Sequence, residues 1–235
     1  MRQAKKHYSV LFFDLDGTLL DFDASEREAL LRLCKERGIE ASEAQIRLYH
    51  AINDALWKQL EKGEIGRKEL QQLRFVKFFE EIHCADRTDG RENELYKHYL
   101  SQSAYPLPYA EEILGQLSLQ YQLYLVSNGN TSVQNGRLDV CGFRKYFQGI
   151  FLSEDIGYAK PDARFFDACL AQMPKTEKGE ILLIGDSLSS DMAGGRNAQI
   201  DTCWYHPNPE DGQRAEFALT YQIQTLPELL ELLRF

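Results

Sequence analysis

Two aspartates, Asp14 and Asp16, close a short apolar run, Val10-Leu11-Phe12-Phe13. A second such run, Leu123-Tyr124-Leu125-Val126, ends in Ser127-Asn128-Gly129. A third, Ile181-Leu182-Leu183-Ile184, ends in Gly185-Asp186-Ser187, with Asp191 just beyond. Lys160, in Ala159-Lys160-Pro161-Asp162, falls between the last two. If the runs are neighbouring strands, Asp14, Asp16, Asp186 and Asp191 meet in one crevice. Four ionised carboxylates there repel strongly and demand a cation. Hard oxygen donors with no His or Cys among them suit Mg²⁺. An anionic substrate would then bind only with metal present, its charge shared between Mg²⁺ and Lys160. Crowding also raises the pKa of one carboxyl, which a general acid requires. Each fragment alone has an ordinary explanation, such as a turn, a helix cap or a surface lysine. Their ordered recurrence at strand ends is what points to a site.

The elements that must position these residues are legible from periodicity. Continuous apolar runs of this length mark strands buried on both faces. Ile150-Phe151-Leu152 and Thr202-Cys203-Trp204-Tyr205 are weaker candidates of the same kind. Helical patterns fall between them, around residues 110–119, 163–172, 191–198 and 226–233. Strands alternating with helices predict an α/β fold with a doubly wound parallel-sheet (Rossmann-like) core. In such sheets ligands sit outside the carboxyl ends of the strands, where the polar clusters lie.

Residues 23–105 read differently. Ser25-Glu26-Arg27-Glu28 has the capping-box pattern, followed by Leu30, Leu33 and Cys34 and a stop at Gly38. Ser42-Glu43-Ala44-Gln45 repeats the signal, with Ile46, Tyr49, Ile52, Leu56 and Leu60 running on to Gly63. Two more helices are predicted around Leu70–Ile82 and Leu95–Leu100, and no strand pattern intervenes. The expected organisation is a core of residues 1–22 and 106–235 with an all-helical cap of 23–105. Pro106 and Pro108 punctuate the return.

Composition sets the outer bounds. The chain has 235 residues, 43% hydrophobic and 27% charged, with a formal net charge of −9. That excludes collagen, coiled coil and bulk disorder, and it argues against a nucleic-acid polymer or an anionic membrane as partner. The five cysteines are scattered without a C-x-x-C pair, as expected of reduced thiols. The basic Met1–Lys6 start leads into an apolar run too short for a signal peptide. These features predict a cytoplasmic protein, a monomer or weak homodimer.

Taken together, Asp14-Leu15-Asp16-Gly17-Thr18, Ser127-Asn128-Gly129, Lys160-Pro161-Asp162 and Gly185-Asp186-Ser187-Leu188-Ser189-Ser190-Asp191 resemble the four motifs of the haloacid dehalogenase superfamily. The helical insertion occupies the position of that family's type 1 cap. Asp16 resembles the phosphatase and phosphomutase branches; the dehalogenases lack it. The resemblance implies Asp14 as a nucleophile forming an aspartyl-phosphate, and Asp16 as the acid and base. It implies Mg²⁺ held by Asp14, Asp186 and the backbone carbonyl of Asp16. Thr18 and Asp191 would orient these groups. Ser127 and Lys160 would hold phosphoryl oxygens, with Asn128 and Gly129 adding backbone donors.

Residues 190–198 with 201–205, and Gly157-Tyr158-Ala159-Lys160-Pro161-Asp162, are similar to the pyrimidine 5′-nucleotidase branch. A nucleoside 5′-monophosphate phosphatase is therefore the first expectation. The alternative is a sugar-phosphate phosphatase or phosphomutase, in which Arg47, Lys58, Lys62 and Arg74 could retain a bisphosphate. A phosphate-binding module without activity is a third reading, opposed by Asp14, Asp16, Lys160 and Asp186. Tyr49, Trp57, Phe75 and Phe79 could stack on a base, though helical spacing predicts that at least two are core.

Overall fold

Six strands form one wholly parallel sheet: β1 (Val10–Phe13), β2 (Gln122–Ser127), β3 (Gly149–Leu152), β4 (Ile181–Gly185), β5 (Asp201–Tyr205) and β6 (Tyr221–Ile223). They are described in a computed structural model covering residues 6–233; the first five and last two residues of the predicted core lie outside the described residues. The helices are α1 (Phe22–Glu36), α2 (Glu43–Glu61), α3 (Arg67–Glu81), α4 (Glu92–Ser101), α5 (Ala110–Leu117), α6 (Thr131–Cys141), α7 (Ser153–Ile156), α8 (Ala163–Leu170), α9 (Ala193–Ala198) and α10 (Glu228–Leu233).

The strand order is β3-β2-β1-β4-β5-β6. The order reverses between β1 and β4, the switch point at which doubly wound sheets open a crevice beyond their strand ends. Val10 pairs with Gln122 on one side and Ile181 on the other, so the first two polar clusters and the last one end side by side. Side chains alternate between the faces. Val10, Phe12, Tyr124, Val126, Ile181 and Leu183 pack on Phe165, Phe166 and Cys169 of α8 and Ala198 of α9. Phe12 and Phe166 stack at 6.5 Å. The alternate residues Leu11, Phe13, Leu123, Leu125, Leu182 and Ile184 are also fully buried. Each such side chain contributes roughly 1.5–3 kcal/mol by leaving water, which is why these runs tolerate no polar residue until the strand ends.

The described chain divides into two compact units. The sheet unit runs to Asp21 and resumes over Pro106–Thr131 and from Cys141 onward; the helical unit comprises Phe22–Tyr105 and Ser132–Val140. In the helical unit α1 packs on α4 and α2, and α2 on α3. Its apolar core includes Leu30, Leu33, Tyr49, Phe75, Phe78, Phe79 and Tyr96. Tyr49 lies 5.5 Å from Phe75 and 5.4 Å from Phe78, ring centre to ring centre. Tyr49, Phe75 and Phe79 are thus core residues, while Trp57 is half-buried beneath the Arg67 guanidinium. Arg74 is buried too, donating to Asn93 at 2.6 Å and lying over the Tyr96 ring at 4.5 Å.

Three expectations need correction. The capping box at Ser42 forms as predicted, with Ser42 and Gln45 exchanging hydrogen bonds, but the one at Ser25 does not. Helix α1 begins at Phe22, so Ser25 and Glu26 lie a turn inside it, buried and used in tertiary contacts. Phe22, predicted as core, belongs to the helical unit. So does the middle of α6, which the expected 106–235 boundary assigned to the core. Val133 joins the apolar cluster of the helical unit. Fully buried Arg137 donates to the Ser103 carbonyl at 3.1 Å, to Gln134 at 3.2 Å and to the Ser25 hydroxyl at 3.3 Å. Those bonds satisfy a buried guanidinium, which could not be left unpaired. Among the described residues no helix is long and apolar enough to cross a membrane.

Candidate active site

The strand ends of the sheet unit carry the site. The Asp14 N–H donates to the Ile184 carbonyl at 2.9 Å, extending the β1–β4 ladder one residue past β1. Asp14 is therefore held by backbone, at the mouth of the switch point, and its side chain is largely buried. The chain then turns tightly: the Leu15 carbonyl accepts from both Leu19 and Leu20 at 2.9 Å, and Gly17 N–H donates to Leu20 at 2.8 Å. Gly17 has φ +78°, and a Cβ there would collide with the Asp186 carboxylate. The turn thus needs glycine twice, for its left-handed backbone and for the close approach. Beyond it, Thr18 is fully buried and donates to Asp186 Oδ1 at 2.9 Å. Asp16, half-buried, lies on the same turn, close enough to act on the charge of Asp14.

Past β4 the backbone enters a single π turn, Leu188–Met192, before α9. Ser187 caps it, its hydroxyl accepting from Ser190 N–H at 3.1 Å. This wide turn brings Asp191 back towards the strand end, where its Oδ2 accepts from Ser187 N–H at 3.2 Å. Such turns recur at functional sites because they redirect one side chain without breaking the helix that follows. One carboxylate oxygen from each of Asp14, Asp186 and Asp191 lies within 4.8 Å of the other two.

Lys160 is not a surface residue. It is 2% exposed, and its ammonium donates to Asp14 Oδ1 at 2.5 Å, Asp191 Oδ1 at 2.6 Å and the Val126 carbonyl at 2.8 Å. An ammonium has three protons, and here three acceptors meet them. Asn128 braces Lys160 from behind: its side chain donates to the Lys160 carbonyl at 2.8 Å and accepts from the Lys160 N–H at 2.9 Å. The Asn128 amide thereby positions Lys160, while its backbone carbonyl accepts from the Ser153 hydroxyl at 3.2 Å. Ser127, 2% exposed, accepts from Gly129 N–H at 3.1 Å through its hydroxyl oxygen.

The electrostatics follow from this crowding. Burial raises the Asp14 pKa well above the carboxylate range; Lys160 opposes that, while Asp191, Asp186 and Asp16 add to it. Asp186 is pushed up to about 7 by burial and by Asp191, against the hydrogen bond from Thr18. Burial works against the Lys160 charge, but Asp14 and Asp191 outweigh it and hold the ammonium above its ordinary value. One buried cation thus serves a group of carboxylates that need more positive charge than it carries. Oxygen donors in this number and spacing fit a Mg²⁺ ion.

The sequence places Asp14, Asp16, Thr18, Ser127, Asn128, Lys160, Asp186 and Asp191 at these strand ends or on the loops beside them, whereas Arg47, Lys58, Lys62 and Arg74 lie in the helical unit. Sequence reasoning did not single out Trp204, whose indole N–H donates to the Asp186 carbonyl at 2.8 Å. The only signal for that contact is strand register, which pairs Trp204 with Gly185.

Comparison with known proteins agrees with this geometry. The family model of haloacid dehalogenase-like hydrolases matches residues 8–199. The chain is 40% identical over 228 residues to the pyrimidine 5′-nucleotidase of Streptococcus pneumoniae, covering 96% of this chain and 95% of that protein. It is 31% identical over 223 residues to the pyrimidine 5′-nucleotidase of Escherichia coli, covering 95% and 96% respectively. The crystal structure of the HAD-hydrolase YfnB of Bacillus subtilis, bound to magnesium, matches with a TM-score of 0.92 at 34% identity, covering 98% of this chain and 100% of that one. This chain belongs to the haloacid dehalogenase-like hydrolases, in the branch that includes the pyrimidine 5′-nucleotidases.

Proposed function

We propose that this hydrolase of phosphoric monoesters works with Mg²⁺ through an aspartyl-phosphate on Asp14, and that its preferred substrates are pyrimidine nucleoside 5′-monophosphates. The observation that carries the chemistry is Asp14 itself: a carboxylate fixed by the β1–β4 ladder, with Lys160 at 2.5 Å and two further carboxylates beside it. The relatives named above support the substrate class.

Asp14 Oδ attacks phosphorus while the bond from phosphorus to the leaving oxygen breaks, and Asp16 protonates that oxygen. Water then attacks phosphorus, Asp16 takes its proton, and the Asp14–phosphate bond breaks to release inorganic phosphate. Asp14 and Asp186, with the backbone carbonyl of Asp16, would hold the metal, and Asp191 is near enough to join or orient them. The bound Mg²⁺ supplies positive charge to the phosphoryl oxygens and to the crowded carboxylates. Lys160 draws the Asp14 pKa down against burial and aims its carboxylate, and Ser127 with the backbone donors that follow it would receive phosphoryl oxygens. Such a site works by positioning and charge neutralisation.

The phosphomutase alternative loses one of its supports, because Arg74 is spent inside the helical unit. A phosphate-release screen with Mg²⁺, across pyrimidine and purine 5′-monophosphates and hexose phosphates, tests the substrate reading. Pyrimidine nucleotides should rank at or near the top in kcat/KM. Hexose phosphates that beat every nucleotide tenfold would reject the nucleotidase while leaving the chemistry at Asp14 standing.

A further inference from the structure

We propose that Trp204 is a positioning residue for the metal site: its indole N–H fixes the backbone carbonyl of Asp186, and through it the direction of the Asp186 carboxylate. This rests on the reading of Asp186 as a Mg²⁺ ligand. The β4–β5 ladder pairs Gly185 with Trp204 and goes no further, so Asp186 is the first residue beyond the strand. Its carbonyl has left the sheet, and a backbone acceptor without a ladder partner takes a donor from elsewhere. The Trp204 indole supplies it at 2.8 Å. Indole N–H is a donor only, so the bond has one possible direction and the carbonyl one fixed place.

The indole is itself immobilised. His206 directly follows β5, its N–H donating to the Ile223 carbonyl at 2.8 Å, so it continues the strand's alternation and its side chain shares a face with Trp204. The two rings stack at 4.0 Å with 14° between their planes. His206 is buried in turn and meets Asp211 Oδ1 at 3.0 Å through Nε2. Asp186 is therefore held from two directions: Thr18 on its carboxylate and Trp204 on its backbone. Groups that orient a metal ligand in this way commonly set metal affinity by 10–100-fold.

Calorimetric titration of the full chain with Mg²⁺ tests this in the wild type, Trp204→Phe and Asp186→Ala. Phenylalanine keeps a ring to stack on His206 and removes the donor together with part of the indole's volume. The expected result is a dissociation constant for Mg²⁺ raised at least tenfold in Trp204→Phe, with the circular dichroism of a folded protein, and binding lost in Asp186→Ala. A second measurement leaves Trp204 intact. Trp57 is the other of the chain's 2 tryptophans, so in Trp57→Phe a single indole N–H signal remains for NMR. That signal should be protected from exchange and should shift on Mg²⁺ addition, with the calorimetric midpoint. Unchanged affinity in Trp204→Phe, or an indole signal that ignores Mg²⁺, overturns the positioning role while Asp186 remains a ligand. A wild type that binds no Mg²⁺, or an Asp186→Ala that binds as well as the wild type, overturns the metal reading and this inference with it.

Discussion

Replacing Lys160 by methionine keeps the length and most of the volume of the side chain and removes its charge. Three acceptors lose their donor at once: Asp14 and Asp191, at 2.5 Å and 2.6 Å, and the Val126 carbonyl at 2.8 Å. Removing one partner of a buried ion pair costs about 3–5 kcal/mol, because the charge left behind is uncompensated. The orphaned carbonyl accounts for roughly 1–3 kcal/mol within that figure. With a urea slope of about 2 kcal/mol/M, the midpoint should fall by roughly 1.5–2.5 M in metal-free buffer at pH 8. The loss should be smaller at pH 5.5. Asp14 already has a raised pKa, and without Lys160 it rises further, so a bound proton replaces the missing cation at low pH. A carboxyl whose folded pKa lies above its unfolded value stabilises at low pH and loses that contribution as pH rises through the folded value. Lys160 in the wild type is raised above its ordinary value and stays charged throughout this range, while Asp186 titrates in both proteins, so the quantity read is the gap between wild type and variant at each pH. Urea curves at pH 5.5 and pH 8, with and without Lys160→Met, measure both effects. A midpoint shift under about 0.5 M and equal at the two pH values would refute the reasoning, since a buried ammonium with three partners cannot be dispensable at that level.

Asp14→Asn should abolish turnover and leave the fold intact, because the amide is isosteric but cannot form the acyl-phosphate; repeated turnover by purified, undeamidated protein counts against Asp14 as nucleophile. Chelation should remove activity and Mg²⁺ restore it, with Ca²⁺ substituting poorly because its looser coordination misplaces Asp14. Full activity in excess chelator contradicts that. In the helical unit, His50 Nδ1 lies 2.7 Å from Glu26, whose hydrogen bond pushes the His50 pKa up to about 9 against a partial burial penalty. A raised histidine stabilises fully below about 6.5 and loses the contribution as pH climbs through 9. His50 is half-exposed, so solvent screening limits this to under about 1 kcal/mol. The stability gap between wild type and His50→Gln should therefore narrow between pH 6 and pH 9.5; a gap that widens is inconsistent with the pair.

The sheet was readable because β1, β2 and β4 are buried on both faces and show as unbroken apolar runs. The site was readable for the same reason: each run stops at a polar cluster, and parallel topology gathers those stops. Helix α6 was not readable. Its buried positions are Val133, Gln134, Arg137 and Leu138, so half of its inward face is polar and no apolar stripe marks it. Ser25-Glu26 imitates a helix start because cap residues and buried polar contacts draw on the same side chains. Lys160 is legible as a site residue only through the ordered set of motifs; alone it reads as a solvated lysine before a proline, and nothing local reveals that three acceptors from distant segments surround it. The short β6 has only three residues and too little pattern to stand out.

The strand order has a consequence for synthesis. Strand β1 is made first among the six and lies between β2 and β4, paired through Val10 with Gln122 and Ile181. At about 5–20 residues per second, its first neighbour follows it off the ribosome after roughly 6–22 s and its second after roughly 9–34 s. Through that interval Val10-Leu11-Phe12-Phe13 has two open edges and no polar residue, the kind of segment that pairs with other chains. Crowded polysomes expose many copies of it side by side. The central strand of the sheet is thus the one that waits longest for its partners.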